Sequence, residues 1–327
     1  MNAVLLLAML LRLPGDSGER ATHLVGEARF SPSAAEPEVP ELFRLEAALF
    51  PFEMTRLRQD SRIEVWSVQF PSPIESPDPV NNTVHAEYFL PVGVGPGAKR
   101  PGVVVLHILG ADFPLARYLA ARLAERGIPA LFMKLPYYGE RKPPGAEFLS
   151  VDIERSMSAM RQGVCDVRRA ASWLACRPEI DPEKLGVTGI SLGGIVSALS
   201  AAVDPQIKRA GLLLAGGGLG DILWEMPEGR SYRAAWIKAG KTKADLERLT
   251  LPFDPLTYAH GLRSKQVLML NGRVDEVISP AASRRLWEAA GKPAIEWFDC
   301  GHYSAVGYLL PVIRKVTDYF AEDLPGS

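Results

Sequence analysis

The run Gly189-Ile190-Ser191-Leu192-Gly193, followed by Gly194, sets a serine among small residues in a G-x-S-x-G pattern. The residues before it read as a strand and those after it as a helix. A serine on so tight a strand-to-helix turn has strained backbone angles. Side chains at the flanking positions would collide with neighbouring backbone, so glycines are needed there. The turn thrusts the hydroxyl out of the sheet. It also leaves the Leu192 N–H at a helix N-terminus, facing the place where an oxygen would gain negative charge. The chemistry suited to this arrangement is nucleophilic attack on an acyl carbon. It requires a base to take the hydroxyl proton and an acid to orient that base.

In proteins with this serine turn the acid and then the histidine follow the nucleophile in chain order. Two histidines lie downstream, His260 and His302. His302 stands in Asp299-Cys300-Gly301-His302, just after an expected strand and just before the last helix, where a loop at the sheet edge belongs. His260, in Tyr258-Ala259-His260-Gly261, precedes a strand and is the second candidate. For the acid, Asn271-Gly272-Arg273-Val274-Asp275-Glu276 follows a strand; Asp275 is the expected orienter and Glu276 its neighbour and rival. The second donor to an oxyanion is expected from His107-Ile108-Leu109-Gly110, after the first buried strand, with the N–H of Leu109 preferred to that of Ile108. His107 itself reads as a hydrogen-bonded structural residue. Ile108, Tyr138, Trp224 and Trp236 are candidate pocket residues, the two tryptophans because they fall in a segment that could roof the site.

Groups so far apart in sequence need a rigid sheet to bring them together. Val103-Val104-Val105-Leu106 is a continuous apolar run, as in a strand buried on both faces. Strands are expected at 128–133, 184–188, 209–215, 266–270 and 294–298, and helices at 113–126, 151–176, 191–203, 280–290 and 304–320. This alternation implies a parallel sheet built from right-handed crossovers. Residues 62–70 and 83–90 alternate in polarity and read as antiparallel edge strands. Residues 41–59, with Leu42, Phe43, Leu45 and Leu49, read as helical, so 1–60 is expected to be a partly helical N-terminal extension. The catalytic domain would then run 61–322, with a cap insertion over about 220–264 and a tail at 323–327.

Among 327 residues, 37 are basic and 38 acidic, for a net charge of −1. That balance gives no electrostatic hold on nucleic acid or anionic membrane. Three cysteines, Cys165, Cys176 and Cys300, do not make a disulfide framework, and buried free thiols are expected. The apolar stretch from Ala3 to Leu11 is too short to span a bilayer, so no stable membrane insertion is expected. It reads as a mature N-terminal segment, which points to the cytoplasm; the alternative is a signal for secretion or the periplasm.

Taken together, these pieces resemble the α/β-hydrolase superfamily, most closely its bacterial dienelactone-hydrolase-like and acetyl-esterase-like branch. The resemblance is carried by Val103 to His107, Gly186 to Gly194, Val267 to Val277 and Gly301-His302, and covers about residues 62–320. It implies the α/β-hydrolase fold, with a mostly parallel sheet of about eight strands flanked by helices, and a Ser191–His302–Asp275 triad. Dienelactone hydrolases proper use a cysteine where this chain has Ser191, so their substrate is not carried over. His107 is followed by Ile108, where that branch often has glycine. The expected activity is cleavage of a small-molecule carboxylic ester, with a short acyl chain or an acetyl group, without cofactor or metal. A prolyl-oligopeptidase-like peptidase, a thioesterase or acyltransferase, and an inactive binding module are the alternatives.

Overall fold

The apolar run at Val103–Leu106 is fully buried, and the sheet is built outward from it. The computed structural model describes residues 22–95, 97–110, 113–322 and 324. The expected N-terminal segment at Ala3–Leu11 lies outside them, as does most of the 323–327 tail.

In chain order the strands are β1 (His23–Phe30), β2 (Ala48–Gln59), β3 (Ile63–Pro71), β4 (Thr83–Pro91), β5 (Arg100–Leu106), β6 (Ala130–Met133), β7 (Ile180–Ile190), β8 (Ile207–Leu213), β9 (Gln266–Gly272) and β10 (Ala294–Phe298). They form one sheet in the order β1-β2-β3-β4-β6-β5-β7-β8-β9-β10. The pairs from β6 through β5 and β7 to β10 are parallel. Strands β1 to β4 run antiparallel to one another, and β4 meets β6 antiparallel.

The sheet therefore has ten strands rather than about eight, and the difference lies at the N-terminal side. Residues 48–59 form a strand, not the expected helix; only Glu41–Phe43 makes a short 3-10 turn. The overlooked signal is the period-two set Phe50, Phe52 and Met54, all turned into the core. Pro51 is tolerated because it pairs with Glu27 of β1 at a point where β3 has not yet joined on the other side. Consequently β3 and β4 are interior strands, and residues 23–59 belong to the same sheet as the rest.

The main helices are α1 (Pro114–Glu125), α2 (Ile153–Ala175), α3 (Leu192–Val203), α4 (Leu219–Glu225), α5 (Arg230–Lys238), α6 (Lys243–Thr250), α7 (Pro255–Tyr258), α8 (Pro280–Ala289) and α9 (Leu309–Ala321). They divide the apolar core in two. One cluster, under α2 and α3, joins Trp173, Val187 and Leu199; the other, under α1 and α9, joins Val103, Leu119 and Phe320. Close contact with α9 explains Gly186 in the central strand, where a Cβ would stand 2.5 Å from the Phe320 ring.

The long α2 is started by Asp152, whose side chain accepts the Arg155 N–H, and it is tied to the N-terminal strands by a buried ion pair. Arg168, fully buried, donates to both carboxylate oxygens of Glu36 at 3.0 and 2.6 Å. The insertion between β8 and β9 is helical throughout, and Asp254 ties its ends together by accepting the N–H groups of Gly218 and Leu219. The cysteines are free, with Cys165 and Cys300 buried; Cys176, expected to be buried, is exposed at the end of α2.

Candidate active site

Ser191 stands between β7 and α3 with φ 56° and ψ −116°, a conformation that side chains rarely adopt. The glycines around it are there because backbone approaches too closely for a Cβ. One at Gly189 would lie 2.5 Å from the Gly193 carbonyl, and one at Gly193 would lie 2.6 and 2.7 Å from the carbonyl oxygens of Leu106 and His107. The turn is pinned by the Ser191 N–H, which donates to the Leu213 carbonyl on β8 at 2.9 Å.

The loops after β9 and β10 meet this serine. His302 Nε2 lies 2.8 Å from Ser191 Oγ, and His302 Nδ1 lies 2.8 Å from Asp275 Oδ2. Asp275 is buried. Its other oxygen accepts the N–H groups of Val277 and Ile278 at 2.9 and 2.7 Å, which fixes the carboxylate plane. Three residues distant in sequence thus form one hydrogen-bonded chain. Glu276, the rival acid, does something else: its carboxylate accepts the backbone N–H of His302 at 2.9 Å and presses on Gly301, where a Cβ would stand 2.3 Å from its oxygen. His260 lies in a 3-10 turn packed on the far end of α3, beside Ala202.

Leu192 is the first residue of α3, so its N–H is unpaired within the helix and points outward at the helix start. Leu109 lines the pocket at Ser191, whereas Ile108 packs into the core cluster beneath α1 and α9. His107 is buried under this loop. Its Nε2 accepts the Leu135 N–H at 3.1 Å, so the ring proton sits on Nδ1 and is donated to the Ile108 carbonyl at 2.7 Å. Burial lowers the His107 pKa to about 4, with Lys134 and Arg141 adding to the effect against the Ile108 hydrogen bond.

A pocket of about 600 Å³, its mouth included, opens at Ser191. Its wall is apolar but for two serines. One is Ser191; the other, Ser156, is occupied at its hydroxyl by the Ser150 N–H at 2.8 Å. The wall comes from Leu109, from Met157 and Met160 on α2, from Ile195 on α3, and from Leu219 and Ile222 on α4. The start of the insertion therefore does reach the serine. Trp224 and Trp236 do not line this pocket: with Ile153 and Leu246 they make a small core of the insertion's own against α2. Tyr138 does not line it either. Its ring packs edge-on to His107, and its hydroxyl accepts the Gly110 N–H at 3.4 Å. The spacing of Met157 and Met160, one turn apart at the start of α2, is the sequence signal that reasoning from the serine outward passed over.

Among the described residues no group of three or more His, Cys, Asp or Glu side chains is placed to hold a metal ion, and no helix is long and apolar enough to cross a membrane.

A family model described as alpha/beta hydrolase domain containing 18 matches residues 48–210, and the prolyl oligopeptidase family model matches 156–303. An uncharacterized protein of Mycobacterium tuberculosis is 29% identical over 211 residues, 62% of this chain. The match spans about half, 50%, of that relative. Among solved structures, acetyl xylan esterase from Paenibacillus sp. R4 superimposes with a TM-score of 0.64 at 18% identity, over 89% of this chain and 92% of the other. Acetyl xylan esterase 1 from a Thermoanaerobacterium species gives 0.58 at 19% identity, over 80% and 87%. The sheet order, the strand-turn-helix serine and these matches agree: the chain belongs to the α/β-hydrolase superfamily.

Proposed function

We propose that this protein is a serine hydrolase that cleaves carboxylic esters of small molecules through an acyl-enzyme. One observation carries the reading: the unbroken chain from Ser191 Oγ through His302 to Asp275, with both links at 2.8 Å. His302 Nε2 takes the hydroxyl proton as Ser191 Oγ attacks the ester carbonyl. Asp275 holds the Nδ1–H and stabilises the imidazolium. The N–H groups of Leu192 and Leu109 receive the oxyanion, where one such donor is worth about 3 kcal/mol in the transition state. His302 then protonates the departing alkoxide. In the second half it takes a proton from the water that attacks the acyl-enzyme, then gives that proton to Ser191 Oγ as the carboxylic acid leaves.

The test pairs a fluorophosphonate probe with p-nitrophenyl esters, on wild type and Ser191→Ala. Labelling at Ser191 and ester turnover, both lost in the variant, are expected. A wild type that neither labels nor cleaves any ester sinks the reading. A second reading, peptide hydrolysis, is favoured by one finding, the prolyl oligopeptidase match that spans Ser191, Asp275 and His302. Faster cleavage of peptide p-nitroanilides than of esters would select it.

A further inference from the structure

The pocket at Ser191 has a direction. The leaving oxygen must lie within hydrogen-bond reach of His302 Nε2. His302 is not among the residues that line the pocket, which instead runs from Ser191 past Leu192 and Ile195 toward α2 and α4. Its occupant is therefore the acyl part of the ester. The wall offers that group no hydrogen bond, because Ser156 is already engaged. A single methyl cannot cover the thirteen apolar side chains that line the pocket, so an acetyl would leave much of that wall bare.

Leu149, Leu223 and Met226 also line the pocket. The same three side chains also line a second, much tighter crevice beside the insertion, walled by Ile153, Trp224, Trp236 and Leu246. They are thus a partition between two apolar spaces. We propose that the pocket takes an acyl chain of medium length, about six to ten carbons, and that Leu149, Leu223 and Met226 set its length. This rests on Ser191 being the nucleophile.

The experiment is kcat/KM for p-nitrophenyl esters from acetate to palmitate, with fluorophosphonate labelling in parallel. In the wild type kcat/KM should rise by up to about fourfold per added methylene, to a maximum near octanoate, then fall. Met226→Ala opens the partition and should move the maximum to a longer chain. Leu223→Ala should do the same should Met226→Ala fail to fold. Met160→Trp fills the pocket and should lower the octanoate-to-acetate ratio at least tenfold. Labelled wild type that prefers acetate, cleaves all lengths alike or cleaves none overturns the acyl-pocket inference alone. An unchanged length maximum in a folded partition variant overturns the role of the partition. Absence of both labelling and turnover brings down the serine-hydrolase reading, and this inference with it.

Discussion

Lowering the pH should cost this protein stability through one buried imidazole. His107 is neutral in the fold, and its two ring nitrogens are committed to opposite roles: Nδ1–H donates to the Ile108 carbonyl and Nε2 accepts the Leu135 N–H. A proton added to Nε2 would face that N–H, donor against donor, with Lys134 and Arg141 nearby. Its pKa is lowered to about 4, whereas the unfolded chain protonates near 6.5. Because the unfolded state binds the proton first, stability is complete above about pH 6.5 and is lost progressively as pH falls toward 4. The full loss is about 3 kcal/mol, at 1.36 kcal/mol for each pH unit between the two values. The assay is urea unfolding at pH 7, 6, 5 and 4.5 for wild type and His107→Gln, whose amide oxygen can take over the Leu135 N–H. The variant should start less stable at pH 7 and show a flatter pH dependence, differing by about 2 kcal/mol in its change from pH 7 to 5. Burial lowers the His85 pKa as well, so some slope should remain in both proteins. Parallel stability curves for the two would refute the reasoning.

Ser191→Gly should remove activity and yet raise the unfolding free energy by about 1 kcal/mol, since glycine adopts φ 56° without strain; a fall in thermal midpoint would contradict this. Asp275→Asn keeps an oxygen for the Val277 and Ile278 N–H groups but turns an N–H toward His302 Nδ1, forcing the proton onto Nε2, which can then no longer accept from Ser191. Its kcat should fall by roughly 10⁴ with little change in stability, and a fall below tenfold would deny Asp275 its part in proton transfer. Glu36→Gln strips the charge that Arg168 faces in the core and should destabilise by about 3 kcal/mol in urea unfolding; a loss under 1 kcal/mol would mean that Asp204, 3.4 Å from Arg168, suffices alone.

What the sequence made legible was local. The serine turn announces itself because steric demands at Gly189 and Gly193 act within a few residues. The parallel strands do so because burial on both faces writes an unbroken apolar run. Placing Asp275 and His302 needed only the order of strands and the loops that follow them. The misreading of residues 41–59 came from apolar residues that belong to two elements, a 3-10 turn holding Phe43 and a strand holding Phe50, Phe52 and Met54. Read as one segment, they mimic a helical spacing. Trp236, buried, and Trp224, partly buried, were legible as apolar packing, but not as packing against α2 rather than over the serine.

The pocket was illegible for a reason built into the fold. Its walls come from α2, from α4 and from the turn after Asp275, and they meet only when the sheet has assembled. Val277 and Ile278 show how tightly shape and chemistry are joined. Their N–H groups hold the Asp275 carboxylate, and their side chains wall the space beside Ser191. A change there would disturb acid orientation and acyl fit at once, so altered length preference would come with lower kcat. The partition at Leu149, Leu223 and Met226 touches none of the hydrogen bonds that position Ser191, His302 or Asp275. On the proposed reading, selectivity for chain length can therefore vary at Leu223 and Met226 of the insertion while the loops after β9 and β10 stay fixed. In that proposed division of labour the insertion would decide what is accepted, and the sheet edge how fast it reacts.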